Sequence, residues 1–112
     1  YGSRVEIVKA MTDEYLASEI LAGHHDGCKQ DRFDIIYVDA SHMAFDVLDD
    51  GIQSWKLLKS GGVIIFDDYD WRMQGWPDDH RPRLGIDAFI YAVTPYQGLV
   101  VEKGGQVLIE KR

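Results

Sequence analysis

Apolar residues recur along this chain in two rhythms, and the clearest stretch of both runs from Phe33 to Asp70. Phe33 to Val38 is an apolar run rich in β-branched and aromatic side chains, too short for an ordinary helix, and it stops at Asp39. That spacing predicts a buried strand ending in a carboxylate. From Ala44 to Leu58 the apolar positions Phe45, Leu48, Ile52, Trp55 and Leu58 return every three or four residues, with Asp46, Asp49, Asp50, Gln53 and Lys56 between them. This is the stripe of an amphipathic helix. Ser60, Gly61 and Gly62 are expected to end it, with one glycine in the left-handed conformation that closes a last turn, before a second strand from Val63 to Phe66 reaches Asp67 and Asp68. Strand, helix and strand form a βαβ unit with a parallel, right-handed crossover.

The flanks are shorter and less regular. Arg4 to Lys9 alternates and predicts a short strand, and Thr12 can cap a helix whose apolar face is Tyr15, Leu16, Ile20 and Leu21. Gly23 to Asp31 is polar and reads as a loop. It contains His24, His25 and Cys28, but a structural zinc site needs four ligands and nothing nearby supplies a convincing fourth. Tyr69 to Arg83 has no steady period and carries Trp71, Trp76, Pro77 and Pro82, as expected of a lid or substrate wall. Helical spacing resumes from Gly85 to Val93 through Ile86, Phe89, Ile90 and Val93, with Asp87 as a favourable end charge and Pro95 as the stop. Leu99 to Glu102 and Val107 to Ile109, joined by Lys103-Gly104-Gly105, predict a hairpin.

Composition narrows the class. The 112 residues, 46 % hydrophobic and 28 % charged, are expected to make one soluble domain, with no apolar run long enough to cross a bilayer. A single cysteine and no visible leader segment suit a reducing, cytoplasmic setting. The net charge of −7 disfavours nonspecific attraction to nucleic acid and to acidic membranes as partners.

The candidate chemistry lies where both strands of the βαβ unit end. Ligands of open α/β sheets collect at the carboxyl ends of the strands, so Asp39 and the Asp67-Asp68 pair share one rim. Three converging carboxylates repel one another unless a cation, a proton or a positively charged ligand offsets them; the cation is the expectation, and hard oxygen ligands suit Mg²⁺, Ca²⁺ or Mn²⁺. Each aspartate taken singly also fits a simpler role, capping the following helix or turn.

The stretch resembles the class I S-adenosylmethionine-dependent methyltransferases, and within them the metal-dependent small-molecule O-methyltransferases. The residues that carry the likeness are Val38-Asp39-Ala40-Ser41-His42, Leu58-Lys59-Ser60-Gly61-Gly62 and Phe66-Asp67-Asp68-Tyr69. It continues through Pro82, Ile86-Asp87-Ala88-Phe89 and the closing Gly105-Gln106-Val107 strand. The resemblance implies an α/β, partial Rossmann-like sheet: parallel strands, a C-terminal antiparallel hairpin, helices on the faces, and the spatial strand order 3-2-1-4-5-7-6. On that correspondence the Arg4, Phe33 and Val63 strands are the third, fourth and fifth, and residues 1–112 form a single partial domain without the first two strands or the Gly-rich cofactor loop. An open edge beside the Phe33 strand then leads us to expect either relocation of the Arg4 strand or a homodimer pairing exposed edges.

The same resemblance implies site roles. S-adenosylmethionine would meet Asp39, Ala40 and Ser41, with Met11 and Thr12 near its adenine, and a divalent metal would sit on Asp39, Asp67 and Asp68. His42 stands where metal-dependent relatives place a lysine, making it the candidate base for an acceptor hydroxyl, with Asp39 as the alternative base or as a contact to the methionine portion. Tyr69, Trp71 and Trp76 are candidate substrate contacts, although the tryptophans equally fit a role shielding the core. The competing class is a noncatalytic half-fold or interaction module that does not bind the cofactor.

Overall fold

A computed structural model describes residues 33–39, 42–72, 74–75, 77, 81–94 and 96–112. The expectations for the Arg4 strand, the Thr12 helix, the His24-His25-Cys28 loop, Met11, Thr12, Ala40, Ser41, Trp76 and Pro95 fall outside these residues. The element order is β1 (Phe33–Val38), α1 (Ala44–Leu57), β2 (Leu58–Phe66), α2 (Pro82–Val93), β3 (Gly98–Lys103) and β4 (Val107–Lys111). The sheet order is β1-β2-β4-β3, with β1 and β2 parallel and the other pairs antiparallel. This matches the 4-5-7-6 portion of the order implied by the resemblance.

The junction between α1 and β2 differs from expectation. No glycine closes the helix: Leu58 is its C-cap in extended conformation, φ −81° and ψ 133°, and the chain passes straight into the strand. The helix end is served by a cation instead, since Lys111 Nζ donates to the carbonyls of Trp55 and Leu58 at 2.6 and 2.7 Å. The glycines work inside β2. The ladder pairs Phe33 with Leu58 but Ile35 with Val63, so β2 bulges between the two pairs, and Gly61 takes φ +86° there. A Cβ on Gly62 would lie 2.8 Å from the Asp34 carbonyl oxygen, so the bulge has no room for a side chain.

The buried face of α1 is also rotated from the predicted stripe. Phe45 is 78 % exposed and Ile52 42 %, while Ala44, Val47, Gly51, Ser54, Trp55 and Leu57 are buried. The reason is close approach. Phe66 and Phe89 supply the volume between helices and sheet, and the position facing them must be small; a Cβ on Gly51 would meet Phe66 at 2.9 Å and Phe89 at 3.0 Å. At the other end, a Cβ on Gly85 of α2 would come 2.2 Å from the Ala44 carbonyl oxygen. Helix α2 begins three residues before the periodic stretch, with Pro82 in its first turn, where a missing N–H costs nothing. Asp87 therefore lies beyond the first turn and is not an end charge.

One apolar cluster joins both helices to one sheet face: Val38, Ile64, Phe66, Val107 and Ile109 from the strands, Val47 and Trp55 from α1, and Ile86, Phe89 and Val93 from α2. The other face shows Ile35, Tyr37 and Leu99 at 65, 49 and 44 % exposure. Among the described residues no helix is long and apolar enough to cross a membrane.

Candidate functional site

Parallel pairing of β1 with β2 brings the two acidic strand ends side by side, and the Asp67 N–H donates to the Val38 carbonyl at 3.2 Å just past the ladder. One oxygen from each of Asp39, Asp67 and Asp68 falls within 4.8 Å of the others. The simpler role as caps accounts for little of this. Helix α1 is capped by Met43 with no side-chain hydrogen bond, so Asp39 is not its cap. Asp67 does serve its local turn, with Oδ1 accepting the Asp68 N–H at 2.9 Å.

The three carboxylates are unequal. Tyr37, one strand residue before Val38, donates its hydroxyl to Asp67 Oδ2 at 2.6 Å, and Gln106 from the β3–β4 turn donates to the Tyr37 hydroxyl at 3.1 Å. The Tyr37 bond, then the Asp68 N–H, hold the Asp67 carboxyl below its ordinary value. The same bond, with the charge of Asp67 and the more distant Asp39 behind it, pushes the Tyr37 phenol up to about 12. Asp39 moves the other way. Partial loss of water, then the negative charges of Asp67 and Asp68, raise its carboxyl above the ordinary value. The rim thus holds one well-anchored carboxylate and one that gains from any added positive charge.

His42 stands between β1 and α1, and its Nε2 lies 3.1 Å from Asp68 Oδ2. Trp71 lies flat on its ring, with centroids 3.8 Å apart and planes 7° from parallel. The tryptophan expected to meet substrate therefore meets the candidate base. Asp68 itself has φ +59°, a left-handed conformation uncommon for a residue with a Cβ and often found at functional turns. Tyr69 is placed elsewhere: it is 3 % exposed, its hydroxyl donates to Asp87 at 2.6 Å, and its ring carries the Arg83 guanidinium 4.8 Å above it. A cavity of about 220 Å³ at the start of α2 is lined by Arg81, Arg83, Leu84 and Asp87, and by none of the rim carboxylates.

Tyr37 and Gln106 are the site residues that the sequence reading missed. Tyr37 was legible only as one apolar member of a strand; its position just before Asp39 placed its ring at the rim. Gln106 had no local signal, because the antiparallel return of β4 beside β2 is what carries it to Asp67.

Comparisons with known proteins agree with this architecture. A family profile described as a methyltransferase domain matches residues 1–69. No curated protein matches the chain. Among solved structures, a Corynebacterium glutamicum protein superposes with a TM-score of 0.65 at 18 % identity, over 99 % of this chain and 49 % of its own. The chain thus spans about half the length of that protein, and at this identity the likeness concerns the fold. With the matched profile covering more than half of the sequence, and the order β1-β2-β4-β3 ending in an antiparallel hairpin, the chain belongs to the methyltransferase-domain family of class I.

Proposed function

We propose that this chain contributes the acceptor side of a transfer of a methyl group from S-adenosylmethionine to the hydroxyl of a small molecule, assisted by a divalent cation. The observation that carries the reading is the convergence of Asp39, Asp67 and Asp68 within 4.8 Å, with His42 bonded to the last of them. Donor chemistry fits both absent groups: all-oxygen carboxylate ligands suit Mg²⁺, Ca²⁺ or Mn²⁺, and an acidic rim at the ends of parallel strands suits a positively charged sulfonium. When bound, S-adenosylmethionine supplies an electrophilic methyl group whose carbon–sulfur bond breaks toward sulfur, and the cation supplies Lewis acidity that lowers the pKa of an acceptor hydroxyl. Asp39, Asp67 and Asp68 would hold the cation, and Asp39 would also border the methionine portion. Tyr37 fixes Asp67 so that its carboxylate is preset, and His42 takes the hydroxyl proton. A homodimer through the outer edge of β1 and a cytoplasmic setting belong to the same proposal.

The test is calorimetric titration of the purified protein with S-adenosylmethionine, with and without Mg²⁺. Saturable binding, followed by metal-dependent methylation of small hydroxylated acceptors, supports the reading. Metal dependence unchanged in Asp68→Ala removes the three-carboxylate site. A second reading, an interaction module without cofactor, is favoured by the apolar sheet face with Ile35, Tyr37 and Leu99 exposed. It predicts no binding in a sample shown to be folded.

A further inference from the structure

We infer that Trp71 is a positioning residue for His42: its indole, with the Asp68 carboxylate, fixes the imidazole so that Nε2 carries the ring proton and Nδ1 is the nitrogen that accepts one. This rests on the reading of His42 as the base. A carboxylate oxygen only accepts, so in the 3.1 Å contact with Asp68 Oδ2 the hydrogen sits on Nε2. That bond alone holds one edge of the ring. The torsion that turns an imidazole is broad and two-fold, and with His42 and Asp68 side chains 41 and 34 % exposed, water competes for the contact. Trp71 supplies the missing constraint. Stacked 3.8 Å away and 7° from parallel, the indole fixes the plane of the imidazole, whereas the hydrogen bond fixes its rotation within that plane.

The backbone ties both constraints to one residue. Asp68 holds φ +59°, and its carbonyl accepts the Trp71 N–H at 3.0 Å, closing the turn that swings the indole over His42. The next residue, Tyr69, is buried and donates its N–H to the Gly105 carbonyl at 3.0 Å, which anchors the turn to the β3–β4 hairpin. A strained residue that sets both the partner and the stacking plane of a histidine is an arrangement for orientation. In the transfer, the acceptor O–H bond breaks and its proton becomes the Nδ1–H of an imidazolium. With S-adenosylmethionine bound, the acceptor oxygen would form the new bond to the methyl carbon as the electron pair of the carbon–sulfur bond left with sulfur.

Long-range proton–nitrogen correlation spectra of the full chain, uniformly labelled with nitrogen-15, test the inference without reference to activity. The expected spectrum shows His42 protonated at Nε2, with its ring protons shifted upfield of the other three histidines by the indole ring current. Trp71→Leu is expected to remove that shift and mix the tautomers, and Trp71→Phe to restore part of both. In methyl transfer, Trp71→Leu should lower kcat about 10- to 100-fold, with KM for S-adenosylmethionine unchanged. An Nδ1-protonated His42, or an upfield shift that survives Trp71→Leu, overturns the positioning role. Undiminished methyl transfer by His42→Ala overturns the base reading instead, so the two failures are told apart.

Discussion

The helix-covered face of the sheet and the acidic rim lie only a few residues apart along β1 and β2, yet they obey opposite rules. On the covered face Ile64, Phe66, Ile86 and Phe89 are 0 to 1 % exposed, and Gly51 and Gly85 leave room for close approach. Packing there is satisfied within the chain. At the rim, three carboxylates crowd one another, Asp39 is pushed toward its protonated form, and Asp68 holds a left-handed backbone. The difference teaches where to look for chemistry: stability is built up on the covered face, whereas the rim keeps like charges together at a cost.

Substitutions should separate the two regions sharply. Phe89→Ala is expected to cost about 3 to 5 kcal/mol in denaturant unfolding, because Phe66, Trp55 and Gly51 cannot collapse into the space it leaves. Tyr69→Phe probes the boundary between them; losing its 2.6 Å bond to Asp87 should cost about 1 to 2 kcal/mol by the same measurement.

At the rim the effects appear in titration. Tyr37 should ionise near 12 in a pH series of its ring carbon resonances, and Asp67→Asn should return it toward 10.0. Because the folded value is raised, the contribution of the neutral phenol is in place below 10.0 and is lost as pH rises through about 12. Asp67 has the opposite sign: its folded value is lowered, so its contribution is in place above the ordinary value of 3.8 and fades as pH falls through the lowered one. The smallest effect belongs to Asp39→Asn, which relieves repulsion at an exposed position. After solvent screening it should raise metal-free stability by only about 0.3 kcal/mol, while weakening any stabilisation by Mg²⁺. A loss of stability comparable to that of Phe89→Ala would mean that the rim belongs to the core after all.

Short-range pattern settled a good deal of this. The run from Phe33 to Val38 could only be a strand, the βαβ unit followed from the length of the segment after it, and strand ends in a parallel pair must bring Asp39 beside Asp67 and Asp68. Periodicity was less informative about which way α1 faces. Its large apolar residues suggested Phe45 and Ile52, but a hydrophobic stripe records side-chain size, whereas the buried face was set by how closely Phe66 and Phe89 approach Gly51. The role of Gly61 likewise depended on the register between β1 and β2, which no local signal reports.

What the sequence by itself determined was the set of elements from Phe33 onward, the parallel pair and the acidic rim, because each follows from spacing along a few consecutive residues. Only the tertiary structure decided that Tyr37 and Gln106 anchor Asp67, that Tyr69 turns to Asp87, and that Trp71 covers His42. Those contacts join residues from 18 to 39 positions apart, and their geometry depends on strand register and on the left-handed turn at Asp68.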